Sequence, residues 1–282
     1  MSSRRKNAQT KPDKPARTPF VARPFEGLPN ETDWVALREV VPAASAPLSL
    51  KDGTAVTLAT VLPMAWPGMV RGDGTRYLGL QVASRSGDAS RDLAAVLEEV
   101  VAAEPGSSVG TSGLPGPGAR LQDLLTDAPL EVTVHEGFDF WVEGTDDPDG
   151  ELAAAMEKAN ASVVPTQKLA SVTSGYWCRM RDRAHLRWVL PHDEEPLLDA
   201  LARMSASGGL SLGEGTRFVG SFRAHGLLVP VWDLPAETTA DDIEEPAQAW
   251  SGRLESALAE TGLSEEARRA RRGLVNRQLT LR

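Results

Sequence analysis

The chain has 282 residues, 41% hydrophobic and 24% charged, with a formal net charge of -9, an ordinary globular composition that allows one large domain or two small ones. No run approaches the roughly 18 to 20 apolar residues of a membrane-spanning helix, and the N-terminus lacks the apolar stretch of a secretory signal, so a soluble cytoplasmic protein without membrane contact is expected. Cys178 is the only cysteine, which excludes an intrachain disulfide and predicts a buried, inert thiol.

Residues 1–23 carry Arg4, Arg5, Lys6, Lys11, Lys14, Arg17 and Arg23 against Asp13 alone, and their only sizeable apolar groups are Phe20 and Val21. They are expected to form a disordered basic tail. The rest of the chain is correspondingly more acidic than the whole, which disfavours duplex DNA as a partner for the body, while the tail suits RNA or another polyanion. Order is expected from Pro24, with a helix over 32–41 in which Trp34, Leu37 and Val41 share a face and Pro42 ends the pattern.

Strand-like runs follow at 54–62 and 76–83, then a helix that Asp88 caps, with Leu93, Val96, Val100 and Val101 inward. A second series offers strands at 169–180 and 184–190, then a helix opened by Asp193 with Leu197, Leu198, Leu201 and Met204 inward. A shift of 105 residues superposes Asp88 on Asp193, Leu93 on Leu198 and Val96 on Leu201. Each helix precedes a Gly/Ser-rich link, 106–113 or 207–215, and a further strand pair: Leu130–Val134 with Phe138–Val142, and Arg217–Phe222 with Leu227–Trp232. Two similar ββαββ halves from an internal duplication would give this order, and so would chance recurrence of simple patterning.

Between the halves an acidic turn, 144–150, leads into a helix over 150–160. An acidic link, 235–246, precedes a helix carrying Trp250, Leu254, Ala257 and Leu258. A final helix begins near Ser264, with Glu265 and Glu266 first and Arg268, Arg269, Arg271 and Arg272 later, the order that the helix dipole favours.

Several stretches from Pro24 to the C-terminus carry a family resemblance: PFEGLPNETDWVALREVVPAASAPL at 24–48, SGDASRD at 86–92, YWCRMR at 176–181, LRWVLPHDEEPLLDALARM at 186–204, RFVGSFRAHGLLVPVWDLP at 217–235 and RARRGLVNRQLTLR at 269–282. Through them the chain resembles an actinobacterial family of unknown function. The resemblance implies a cytosolic protein with a variable basic tail, and brings no activity, cofactor or catalytic residue with it.

The chemistry-bearing motifs are sparse. There is no G-x-x-x-x-G-K-[ST], H-E-x-x-H or C-x-x-C. Gly113, Gly116 and Gly118 alternate with prolines and read as loop. The histidines His135, His185, His192 and His225 are not paired at metal-ligand spacing, so four unrelated imidazoles are expected and no metal or cofactor. Asp146, Asp147, Asp149 and Glu151 are too short a cluster for a calcium loop and read as a solvated turn. Strand alternation places Trp177, Arg179 and Arg181 on one face, with Tyr176, Cys178 and Met180 on the other. With Arg223 and His225 approaching from the partner hairpin, the first set could stack a base or hold a carboxylate or phosphate.

The expected fold is therefore α+β: antiparallel sheet layers covered by helices, with C-terminal helices outside. The expected divisions are a tail at 1–23, halves at 24–143 and 144–235, and a helical segment at 236–282. The favoured function is a non-catalytic cytosolic binding or adaptor protein whose basic tail and C-terminal arginines, at 268, 269, 271, 272 and 277, contact RNA, ribonucleoprotein or an acidic protein. The alternatives are a ligand-binding domain or enzyme with a pocket between the halves, built from Trp177, Arg179, Arg181, Arg223, His225 and an acid such as Asp139 or Asp193. A homodimer is a further possibility of the fold.

Overall fold

The PFEGLP segment turns directly into the first helix. The computed structural model describes residues 19–83, 86–110, 113–142, 151–276 and 279–280. Most of the expected basic tail, the acidic turn at 144–150 and Arg277 lie outside these residues. Helix α1 (Glu31–Glu39) buries the whole run Thr32–Leu37, a wider face than its Trp34, Leu37 and Val41 stripe predicts. The reason is its position between the halves: Trp34, Val35 and Leu37 share one core with Leu58 and Leu78 from the first half and Tyr176, Val189, Phe222 and Val229 from the second.

The first half continues with β1 (Ala44–Ser49), β2 (Ala55–Ala59), β3 (Gly68–Val70), β4 (Arg76–Gly79), α2 (Ala89–Ala102), β5 (Ser108–Val109), α3 (Leu121–Leu124) and β6 (Thr133–Val134). Its strands lie in the order β5-β3-β4-β2-β1-β6, and only β2 and β4 are parallel neighbours. Asp88 caps α2 as expected, accepting from the N–H groups of Ser90 and Arg91. Strand β1 escapes a sequence reading because Pro47 interrupts it. β6 covers only Ala44 and Ser45, so the missing N–H of Pro47 disrupts no ladder on that side.

The second half supplies α4 (Glu151–Asn160), β7 (Thr166–Lys168), β8 (Gly175–Met180), β9 (Arg183–Trp188), α5 (Glu194–Ala206), β10 (Arg217–Ala224) and β11 (Leu227–Leu234). After it come α6 (Asp241–Ala259), α7 (Glu265–Asn276) and β12 (Leu279–Thr280). The second sheet runs β12-β10-β11-β9-β8-β7, antiparallel except where β12 joins β10. One face packs on α1 and the first half. The other is covered by α5, α6 and α7 around Trp188, Trp232 and Trp250, with Leu197, Leu201 and Leu254. The architecture is thus α+β, with two antiparallel-rich sheets under helices.

Both sheets place their four central strands in the order third, fourth, second, first. Their helices are inserted differently: α2 follows all four strands, whereas α5 stands between the second and third. The second half is ββαββ and the first is not, so the 105-residue shift superposes helices that hold different places in the topology. Amphipathic spacing reports which face of a helix is buried, not where the helix falls among the strands.

Two local expectations are corrected. Phe138–Val142 is not a strand: Asp139–Trp141 forms a 3-10 turn, held by Phe138 stacked on Trp141 at 4.3 Å between centroids and by the Trp141 indole N–H donating to the Val61 carbonyl at 2.9 Å. The acidic link 235–246 is partly helical, because α6 begins at Asp241 and accommodates Pro246 in its second turn, where the missing N–H costs one backbone bond.

The hairpin between β10 and β11 gathers both ends of the folded chain. Gly226, at φ +83°, packs so closely on residues 22–23 that a Cβ there would lie 2.8 Å from Arg23 Cβ and 3.0 Å from the Ala22 carbonyl oxygen. On the other side, β12 pairs in parallel with Phe222 and Arg223.

Candidate functional site

The densest charged constellation stands on the first turns of α5, where Glu194 and Glu195 complement the helix dipole. Asp193 occupies the N-cap position without a cap bond and instead accepts from Arg23 Nη1 at 3.1 Å. Arg23 also donates through Nε and Nη2 to the two carboxylate oxygens of Glu31, at 2.6 and 2.8 Å. From β10, Arg223 donates to Glu194 through Nε at 2.7 Å and again through Nη2. From α7, Arg271 donates to Asp199 at 2.6 Å and to Glu195 at 2.5 Å. The hydrogen bonds to Glu31, Glu194 and Asp199 are the chief cause that raises the pKa of Arg23, Arg223 and Arg271 respectively. Three arginines from the tail root, the sheet and the arginine helix thus converge on one acidic turn.

Beyond Arg271, α7 presents Arg268, Arg269 and Arg272 to solvent. Their i, i+3 and i+4 spacing puts them on one face.

The residues expected to line a pocket are placed differently. The alternation holds along β8, but Trp177 is buried in the helical core of the second half, its indole N–H donating to the Thr238 carbonyl at 3.0 Å. Arg179 lies over the Trp177 ring at 5.3 Å and reaches the same carbonyl. Arg181 leaves the strand in a left-handed turn at φ 57°. Arg223 is engaged by Glu194, and His225, itself left-handed at φ 46°, bonds Glu39 at 2.8 Å and meets the Phe25 ring edge-on. Strands β8 and β10 are separated by β9 and β11, about 14 Å at ordinary strand spacing, so the two groups are not brought together. Asp139 hydrogen-bonds Asn160, away from both groups.

Each histidine has its own neighbour: His135 bonds Ser45 at 2.7 Å, His192 lies 3.7 Å from Glu255, and His185 Nδ1 is 3.1 Å from Asp233. No three His, Cys, Asp or Glu side chains gather for a metal ion among the described residues. Cross-strand register does align Cys178, His185, Asp233 and Arg217 in one row over four strands. Burial raises the Cys178 thiol pKa, the opposite of what a nucleophile needs, although Arg187 pulls the other way.

A second polar cluster ties α1 to β8. Fully buried Asp33 accepts from Ser174 Oγ at 2.6 Å and Tyr176 OH at 2.8 Å on one oxygen, and from Lys168 Nζ at 2.8 Å on the other. Ser174 Oγ in turn accepts from the Thr32 hydroxyl at 2.7 Å, and Ser174 holds a left-handed φ of 55°. This set lies inside the junction and is structural in character.

Shallow grooves of about 540, 520 and 590 Å³ run along α6 and around the end of α5, bordered by Arg203, Ser207, Gly252, Arg253 and Glu260. None of the residues expected in a pocket lines them. The sequence reading missed the acidic turn because its partners come from positions 23, 223 and 271, which no local pattern connects. The only signal was the run of acids after Pro191. No curated protein and no solved structure matches the chain. A family model described as a family of unknown function (DUF5926) matches residues 24–282.

Proposed function

The chain belongs to this family, whose function is unknown, and we propose that it is a non-catalytic cytoplasmic binding protein that holds RNA through its basic N-terminal segment and the exposed arginines of α7. The observation that carries this reading is a placement: the root of the basic segment and α7 meet on the same acidic turn of α5, through Arg23 and Arg271. The acids there are matched by arginines, so the local field is less repulsive to phosphate than the net charge suggests. Arg268, Arg269 and Arg272 supply guanidiniums whose fork geometry matches phosphate oxygens.

The test is binding of a fluorescein-labelled single-stranded RNA by the full-length chain, by a chain starting at Pro24, and by the R268E/R269E/R272E triple variant. The triple variant is expected to bind more weakly. Its salt dependence should flatten by about two in the slope of log K against log salt, at roughly 0.7 per lost phosphate contact on single strands. Equal binding by all three forms would sink the reading. Pull-down from extract with and without ribonuclease separates the main competitor: capture of a defined acidic protein that survives ribonuclease would replace RNA with that partner.

A further inference from the structure

We propose that the acidic first turns of α5 are an internal stand-in for the anionic partner, holding α7 closed until a polyanion displaces them. This rests on the reading of α7 as a binding element. Both partners of Arg271, Asp199 and Glu195, belong to α5, and between them they give the guanidinium two anionic oxygens, the number that a single phosphate supplies to a bidentate arginine. Glu195 is 78% exposed, and Asp199 and Arg271 also reach solvent, at 36% and 26%. Such contacts are screened by salt and open to exchange with a competing anion.

Apart from these ion pairs the helix is held by a narrow apolar stripe, with half-buried Ala270 beside its buried residues, and by β12, which follows it onto the sheet edge. Ala267 and Leu274 are its buried residues. The bonds from Arg203 to the Gly262 carbonyl, at 3.0 and 2.8 Å, hold the preceding loop rather than α7 itself. Arg268, Arg269 and Arg272 already face outward, so a polyanion meets them first. Recruiting Arg271 as well requires α7 to leave the α5 carboxylates, which makes α5 a competitor built into the fold. The same turn engages Arg23 at the root of the basic segment, so both binding elements are coupled to one acidic surface.

The test compares full-length wild type with E195Q/D199N and with E245Q/E260Q, which removes the same charge from exposed positions on α6 and at its C-cap. RNA affinity of E195Q/D199N should tighten at least about fivefold, the lower end of ordinary coupling between sites, while E245Q/E260Q stays within about twofold. Amide exchange in α7 should quicken in E195Q/D199N and in R271Q, which opens the contact from the other side without changing the charge of α5. Equal tightening in both double variants, or none in either, overturns the proposal. If no form binds RNA, the binding reading falls by itself and amide exchange decides the latch: faster exchange confined to α7 upholds it, and unchanged exchange removes it.

Discussion

Asp33 and the acidic turn of α5 are two anionic clusters built from the same side-chain chemistry in opposite settings. Asp33 is fully buried and satisfied by Ser174, Tyr176 and Lys168. Glu195 and Asp193 are largely exposed and engaged by single guanidiniums. A buried carboxylate with its donors fixed is costly to disturb, because losing a partner strands a charge or a polar group away from water. An exposed pair contributes little to stability and is exchangeable. The first cluster therefore specifies how α1 joins the two halves, and the second is suited to regulated contacts.

The sharpest way to break the contrast is to remove the buried anion. Asp33→Ala should lose about 3–5 kcal/mol of unfolding free energy, read by urea titration, since Lys168 then lacks its counter-charge. A loss below about 1 kcal/mol would mean that the junction does not depend on the network. Tyr176→Phe should lose about 1.5–3 kcal/mol, the range for a hydrogen bond to a charged group.

Tyr176 also gives the junction an alkaline signature. Burial, then the charge of Asp33 and the hydrogen bond to it, raise the phenol well above the ordinary value of 10.0. A raised folded pKa means that this stability is fully present below the unfolded pKa and is lost as pH rises through the folded one. Wild type should therefore lose stability above about pH 10 more steeply than Tyr176→Phe. Parallel curves for the two proteins would remove the phenol from the account.

At the exposed cluster the same kind of change should barely register in stability. E195Q/D199N is expected to shift unfolding free energy by less than about 1 kcal/mol while changing RNA affinity and α7 exchange. A large destabilisation there would erase the distinction between the clusters and make the acidic turn a structural element like Asp33.

Helix positions were legible where one chain segment held the whole signal. The predicted span 32–41 matches α1 at Glu31–Glu39, and Asp88 caps α2 through its own side chain. Asp193, the same residue type before the same kind of helix, accepts no cap bond, and its carboxylate accepts from Arg23 instead. Arg223 and His225 were legible as candidate polar groups, yet their partners, Glu194 and Glu39, come from distant elements. Nothing local announced that Asp139–Trp141 would be a turn tied to the Val61 carbonyl by an indole.

By itself the sequence determined the α+β class, the amphipathic helices, the basic N-terminal segment and the arginines of α7, because each is written in the composition or periodicity of contiguous residues. Only the tertiary structure decided strand order, the enclosure of α1, the separation of Trp177 from Arg223 and the convergence of Arg23, Arg223 and Arg271 on α5. Those outcomes depend on which distant surfaces are buried together, and a side chain's periodicity does not encode the identity of its partner.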